Sequence, residues 1–324
     1  MTKGTAPRPR PRLRIYGPVP SRRLGFSLGV DILPYKTCSF NCIYCQLGPG
    51  RRLYGQRQAF VPVEEVVSQV RRALRRAGRV DSITFSGSGE PTLHTGLGRM
   101  IREIKKVTDI PVTVLTNSSL LTKPAVRRAL RAADRVVPSL DAARPAIFRR
   151  INRPHPRLTL RRIIDGLAAF RKEYKGKIWL EIMLVKGLND SAEHVRALKR
   201  AVARIRPDKV QLNTVVRPPA EPEAQPLSTR EMAAICRQLG PPCEVVASFR
   251  GGKSGLRQRQ VPLRVLDMLR RRPLTAEDIK RSLGLNRKSL EAALNGLLRW
   301  GRIRKKTHAG RDFYEPAGDL EERL

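Results

Sequence analysis

Residues Cys38-Ser-Phe-Asn-Cys42-Ile-Tyr-Cys45 decide how the rest of the chain reads. Three thiols stand there in the spacing C-x3-C-x2-C. Thiolates this close, in a short loop, can bind one metal centre together. A structural zinc site takes four ligands, usually as two pairs, and no second Cys/His pair of matching spacing occurs. Iron–sulfur clusters are also held by closely spaced thiolates, normally four. Three cysteines leave one iron of a cubane cluster open, and an open iron is where a small molecule coordinates. A zinc knuckle borrowing a distant ligand is one alternative. Three buried, inert thiols are another, although inert core cysteines have no reason to cluster.

Upstream of this loop, Phe26–Leu33 is apolar enough for a strand, and Gly17-Pro-Val-Pro-Ser-Arg-Arg-Leu-Gly25 reads as turn-rich and basic. Arg22 and Arg23 suit a phosphate or carboxylate, or are simply solvated. Downstream, Val63, Val66, Val67, Val70 and Leu74 recur at helical spacing and predict a helix over Val63–Arg76. Further helices are expected at Leu97–Val107, Pro124–Ala133, Leu158–Tyr174 and Ser191–Ile205. Strands are expected at Val80–Phe85, Val112–Thr116, Arg135–Leu140, Ile178–Val185 and Lys209–Asn213. Alternating strands and helices of this length imply an α/β fold with a parallel sheet and right-handed crossovers. Six strands are too few for an eight-fold barrel, and no glycine fingerprint follows the first strand as a dinucleotide fold requires.

At the cysteine loop the sequence resembles the radical S-adenosylmethionine (radical SAM) enzymes, whose signature is C-x3-C-x-aromatic-C, with Tyr44 in the aromatic position. The resemblance implies that Cys38, Cys42 and Cys45 hold a 4Fe–4S cluster and that Tyr44 borders the adenine of SAM. It implies a partial (β/α)6 barrel and the reductive cleavage of SAM to a 5′-deoxyadenosyl radical, fed by a flavodoxin- or ferredoxin-type electron donor. The run Ser86-Gly-Ser-Gly-Glu-Pro-Thr92 resembles the family's "GGE" motif, with Ser88 in place of the first glycine. By that resemblance Ser88, Gly89 and Glu90 bind the SAM amino group.

In a barrel of this kind catalytic groups gather at the carboxyl ends of strands. Asn117, Ser139 and Asp141 lie at such ends. Alternation puts Trp179, Glu181, Met183 and Val185 on one face of the fifth strand. The family's habit of binding SAM ribose and carboxylate from these ends makes Asn117, Ser139 and Glu181 the candidates. Ordinary hydrogen bonding at strand termini is the plainer reading of each. Asn152-Arg-Pro-His155 reads as part of a substrate rim or as a charged surface loop. Cys236 and Cys243 are too few for an auxiliary cluster and read as packing residues.

The runs Gly17–Gly25, Gly29–Pro34 and Phe85–His94 together resemble the iron–sulfur oxidoreductase subgroup, similar to the wyosine-forming tRNA-modifying enzymes. That makes tRNA or another nucleic acid a candidate partner. The formal net charge of +37 agrees with an anionic partner. An arginine-rich proteome would also produce so diffuse an excess. Clustered thiols argue for a reducing cytosol. Residues 1–14, rich in Pro, Arg and Lys and without an apolar run, suit neither a secretory signal nor a membrane span and read as a disordered basic arm, and no membrane partner is expected.

The expected organisation is a barrel over 15–248, a linker over 249–260, a winged-helix-like domain over 261–316 and a tail over 317–324. Helices from Val261, Thr275 and Asn286, followed by a hairpin around His308-Ala-Gly310, resemble a winged helix. Arg287, Lys288, Lys305, Lys306 and Arg311 then fall on its recognition helix and wing. Docking against the barrel is the alternative use of this domain. The rival to the enzyme is an iron–sulfur redox sensor that regulates transcription through that winged helix. A sensor has no need of a SAM site, so Ser88–Glu90 favour the enzyme.

Overall fold

The computed structural model describes residues 14–50, 52–246, 261–270, 273–308 and 310–318. The expected basic arm up to residue 13 and the expected linker lie outside the described residues. Strand β1 (Ile15–Ser21) runs antiparallel to β2 (Gly25–Val30). Then follow α1 (Val63–Leu74), β3 (Ser82–Phe85), α2 (Leu97–Lys105), β4 (Val112–Thr116), α3 (Pro124–Leu130) and β5 (Arg135–Pro138). Next come α4 (Pro145–Asn152), α5 (Leu160–Glu173), β6 (Lys177–Leu184), α6 (Ala192–Ile205), β7 (Lys209–Thr214), α7 (Thr229–Leu239) and β8 (Cys243–Val245). The sheet order is β1 through β8 in sequence, with β2 to β8 all parallel. The six expected parallel strands are therefore β2 to β7, and β8 extends them.

Helix and strand formation follow the apolar pattern. Val66 and Val70 of α1, and Met100, Ile101 and Ile104 of α2, are fully buried against the sheet. Each such side chain stabilises the fold by about 1.5–3 kcal/mol. Caps set the starts: Ser191 accepts from His194 N at the head of α6, and Ser228 with Glu231 forms a reciprocal capping box on α7. Along β6, Ile178, Leu180, Ile182 and Leu184 are buried, while Trp179, Glu181 and Met183 are half-buried on the other face. The alternation read from the sequence is present.

Two segments differ from the sequence reading. Residues 15–21 form a strand, not a turn. Pro18 and Pro20 lack an N–H, which an outermost strand tolerates, and the register shifts between Tyr16 and Val19. Gly17 lies in that shift at φ +92°, a conformation open to glycine. Helix α4 was also not expected. Pro145 at its first turn and the buried Phe148 and Ile151 form it.

The C-terminal segment folds as α8 (Val261–Leu269), β9 (Leu274–Thr275), α9 (Ala276–Leu283), α10 (Arg287–Arg299), β10 (Ile303–His308) and β11 (Arg311–Pro316). Its strands form a separate antiparallel sheet in the order β10-β11-β9. Thr275 and Asp278 make the capping box of α9, and Asn286 caps α10. Val265, Leu269, Ile279, Leu294 and Leu297 form a core that also takes in Val19 of β1, with Tyr16 packed on it. His308 Nε2 meets the carbonyl of Val215, just past β7, at 3.3 Å. The segment is thus docked on the barrel.

Candidate functional site

The cysteine loop sits on the end of α4. The last carbonyls of a helix have no partner within it. Here Asn152 O accepts from Asn41 N at 3.0 Å, and Ile151 O accepts from Ile43 N at 3.0 Å. Phe40 packs edge-on to Phe148 of α4, with ring centroids 5.4 Å apart. Asn41 Oδ1 accepts from Gly50 N at 2.7 Å and closes the loop.

The three thiols lie together and none is in a disulfide. Burial pushes the Cys38 thiol up to about 12, helped by the charge of Glu90 and of Cys45. Burial, Asp141 and the other two thiols push Cys42 higher still. Three thiolates in such a place need a cation to hold them, because metal ligands must be deprotonated. Among the described residues, no three His, Cys, Asp or Glu side chains converge on one metal-ion position. A cubane spreads its thiolates over separate irons.

Two asparagines donate to the sulfurs. Asn117 Nδ2, just past β4, lies 3.4 Å from Cys38 Sγ and 3.0 Å from Ser39 Oγ. Asn152 Nδ2 lies 3.5 Å from Cys42 Sγ and 2.7 Å from Asp141 Oδ2. Amide donors on sulfur are the outer contacts that orient and tune thiolate ligands. The donor set therefore fits a 4Fe–4S cluster.

The Ser88–Glu90 turn is joined to the same loop. Thr37, next to Cys38, pairs with Gly89 through the backbone, and Glu90 N donates to Thr37 O at 3.0 Å. A Cβ on Gly89 would collide with the Thr37 carbonyl oxygen, so the approach requires glycine. Glu90 is buried. Its Oε1 accepts from Thr92 N at 3.0 Å and Thr116 Oγ1 at 2.7 Å, and its Oε2 from Asn117 N at 2.6 Å. Burial raises its carboxyl above the ordinary value despite these donors. Ser88 is tied by N and Oγ to Asp31, at 3.1 and 2.5 Å. The sequence reading gives Asp31 no role of its own; its signal there is a lone acid inside the apolar first strand, within the run Gly29–Pro34.

The other candidates divide. The Tyr44 hydroxyl donates to Asp141 Oδ2, which fixes the ring beside Cys42. Asp141 also accepts from Met183 N at 2.9 Å, so it links β5, β6, α4 and the cysteine loop. Ser139 forms a backbone bridge to Glu181, and its carbonyl accepts from Ser118 Oγ at 2.7 Å. Glu181 pairs with Arg23 at 2.7 Å and accepts from Asn213 Nδ2 at 3.1 Å. Burial alone would raise the Glu181 carboxyl. Arg23 outweighs it and holds the carboxyl below its usual value. Asp141 and Asn152 stood among the polar residues at strand and loop ends. Only the fold shows that they meet.

Elsewhere, Cys236 and Cys243 approach to 2.8 Å between sulfurs, on α7 and β8. On the C-terminal segment, Arg287 pairs with Glu291 and Lys305 with Asp312, each at 2.7 Å. No helix among the described residues is long and apolar enough to cross a membrane.

A sheet of parallel strands with thiols and a glycine turn at its carboxyl edge defines a class, and comparison bears this out. The description of the radical SAM superfamily matches residues 32–199, and the chain belongs to that superfamily. Within it, the chain is 32% identical to a UPF0026 protein of Methanocaldococcus jannaschii, over 92% of this chain and 94% of that protein. It is 37% identical to a UPF0026 protein of Synechocystis, over 78% of this chain and 97% of that one. It is also 38% identical to a protein of Brachyspira hyodysenteriae named GTPase Obg, over 90% of this chain but only 44% of that protein. Two solved structures share the fold. One is a radical SAM methyltransferase from Sphaerobacter thermophilus, with TM-score 0.51, 20% identity and coverage of 68% of this chain and 65% of that one. The other is the FeFe-hydrogenase maturase HydG from Carboxydothermus hydrogenoformans, with TM-score 0.50, 15% identity and coverage of 89% and 68%. Enzymes of this superfamily use a 4Fe–4S cluster and SAM.

Proposed function

We propose that the protein is a radical SAM enzyme whose cluster is held by Cys38, Cys42 and Cys45 and whose substrate is an RNA. A 4Fe–4S cluster, bound and reduced by a flavodoxin- or ferredoxin-type donor, supplies the one electron that splits SAM into methionine and a 5′-deoxyadenosyl radical. The chain's own residues bind and orient. The Ser88–Glu90 backbone takes the SAM amino group. Asn117, Ser139 and Glu181 take its ribose and carboxylate, and Tyr44 borders the adenine. One observation carries this reading: the Thr37–Gly89 pairing fixes the turn against the thiol loop. Two sites that act on one small molecule need that rigid link.

The domain reading is a barrel over 15–248, a linker over 249–260 and a winged-helix-like domain over 261–316. Three helices ahead of an antiparallel hairpin support it. The net charge of +37 supports the RNA reading.

The test is anaerobic reconstitution with iron and sulfide, reduction, and addition of SAM. Formation of 5′-deoxyadenosine is expected. None from protein with an intact cluster would overturn the enzyme reading in favour of an iron–sulfur sensor acting through the C-terminal domain.

A further inference from the structure

A cavity of about 960 Å³ opens beside the cysteine loop. Arg52, Lys123, His155, Arg157 and Arg162 line it, and no Asp or Glu does. In so basic a chain, cations alone carry little weight. Three further features bear on what this place could hold.

The first is pairing. Arg23, Arg127, Arg171 and Arg204 each meet a carboxylate within 3.0 Å. Arg52, Lys123, Arg157 and Arg162 have no ion pair among the described residues; Arg71, Arg75 and Arg76 on and after α1 have none either, but the four here line one cavity without an acid. The second is the head of α5. Its first turn holds no acid, Thr159 makes no side-chain cap there, and Arg161 and Arg162 stand in its place. A cation at a helix N-terminus is unfavourable, and the first N–H groups lack partners within the helix. Helices α1, α6, α7 and α9 carry acids in that turn, whereas α2, α3, α4, α8 and α10 lack them as α5 does; what marks α5 is that its first turn lines the cavity. An anion in the cavity would relieve both deficits. The third is position. Tyr54, which lines the cavity, donates its N–H to Cys38 O at 2.8 Å. Arg52 also stacks on the Tyr54 ring, 5.2 Å from its centroid, which orients the guanidinium.

We propose that this cavity is a phosphate-binding site. It holds phosphoester groups of a nucleotide, free or within a polynucleotide, and so sets the substrate against the cysteine loop. Guanidinium forks match phosphate oxygens two at a time, and the volume suits a nucleotide-sized ligand. The inference rests on the reading of the protein as an enzyme acting on RNA.

The experiment uses the full chain, with no SAM. Binding of a labelled single-stranded RNA of about ten nucleotides, and of a nucleoside triphosphate, is measured across a salt series. The triple variant Arg52→Gln/Arg157→Gln/Arg162→Gln is compared with Arg71→Gln/Arg75→Gln/Arg76→Gln. The second set is equally exposed and loses the same charge at the end of α1. The cavity variant should bind RNA about tenfold more weakly, with a log–log salt slope shallower by about 2, and the α1 variant should stay within about twofold. A parallel loss of triphosphate binding would mean that a single nucleotide suffices. Loss for RNA alone would mean that the site takes a chain. Both support the proposal. Equal losses for the two variants, or none for the cavity variant, would overturn it. Deoxyadenosine formation by the reconstituted wild type is scored separately. Cavity binding in a protein that forms none would sink the enzyme reading alone.

Discussion

Arg23 and Glu181 form a 2.7 Å ion pair, although β3, β4 and β5 stand between the strands that carry or follow them. Only a sheet curled on itself brings the β1–β2 turn onto β6. Both side chains are 15% exposed, so the pair is largely removed from water. Breaking a buried pair from one side leaves the other charge stranded. Arg23→Ala should therefore cost about 3 kcal/mol in urea unfolding. Arg23→Ala/Glu181→Gln should recover most of that loss. A double variant as unstable as the single one would refute the stranded-charge account.

The thiols can be tested by iron content. Reconstituted protein should bind about four irons per chain. Alanine at Cys38, Cys42 or Cys45 should abolish the cluster absorption. Alanine at Cys236 or Cys243 should leave it, even though those two sulfurs lie 2.8 Å apart. A requirement for both of the latter would mean a second metal centre.

Gly89 tests the link between thiols and turn. Gly89→Ala places a methyl group against the Thr37 carbonyl and must part the two segments. Iron content should persist, while SAM should no longer perturb the paramagnetic spectrum of the reduced cluster. A spectrum that still responds normally to SAM would remove this turn from the SAM site.

Asn152 donates to Cys42 Sγ, and such donors stabilise the added electron of a reduced cluster. Asn152→Leu should shift the cluster's midpoint potential to more negative values, read by redox titration. An unmoved potential would leave Asn152 with only its structural bond to Asp141.

Burial pushes the Asp141 carboxyl from 3.8 up to about 6, against donation from Tyr44, Met183 and Asn152. Between those values the folded protein binds more protons than the unfolded chain. Stability then falls as pH rises through that window, and the cost persists above it. Relative to Asp141→Asn, the metal-free wild type should lose about 2 kcal/mol between about pH 4 and pH 6. Urea unfolding at several pH values decides this. Parallel pH profiles for the two proteins would show that the carboxyl titrates normally.

Much of this was legible in the chain. Cys38, Cys42 and Cys45 announce themselves by spacing, and the parallel order of β2 to β7 follows from alternating periodicities. The glycines near Glu90 mark a close backbone approach. What stayed hidden depends on the curl of the sheet. No local pattern links Arg23 to Glu181, or Tyr44 to Asp141, across 158 and 97 residues of chain. Strand β1 was masked by Pro18 and Pro20, which signal turns except at a sheet's margin. Helix α4 was the avoidable miss, since Pro145 with Phe148 and Ile151 at helical spacing already marks a start and an apolar face.

The packing of Val19 into the core of the C-terminal segment has a consequence for how the protein behaves in solution. Strand β1 is the last in its sheet, with one neighbour only. A chain ending after β8 would bare Tyr16 and Val19 along an unpaired margin of backbone. Such margins recruit strands from other molecules and seed aggregates. The C-terminal segment covers those side chains, and a shortened protein should be judged first by whether it aggregates more readily than the full chain.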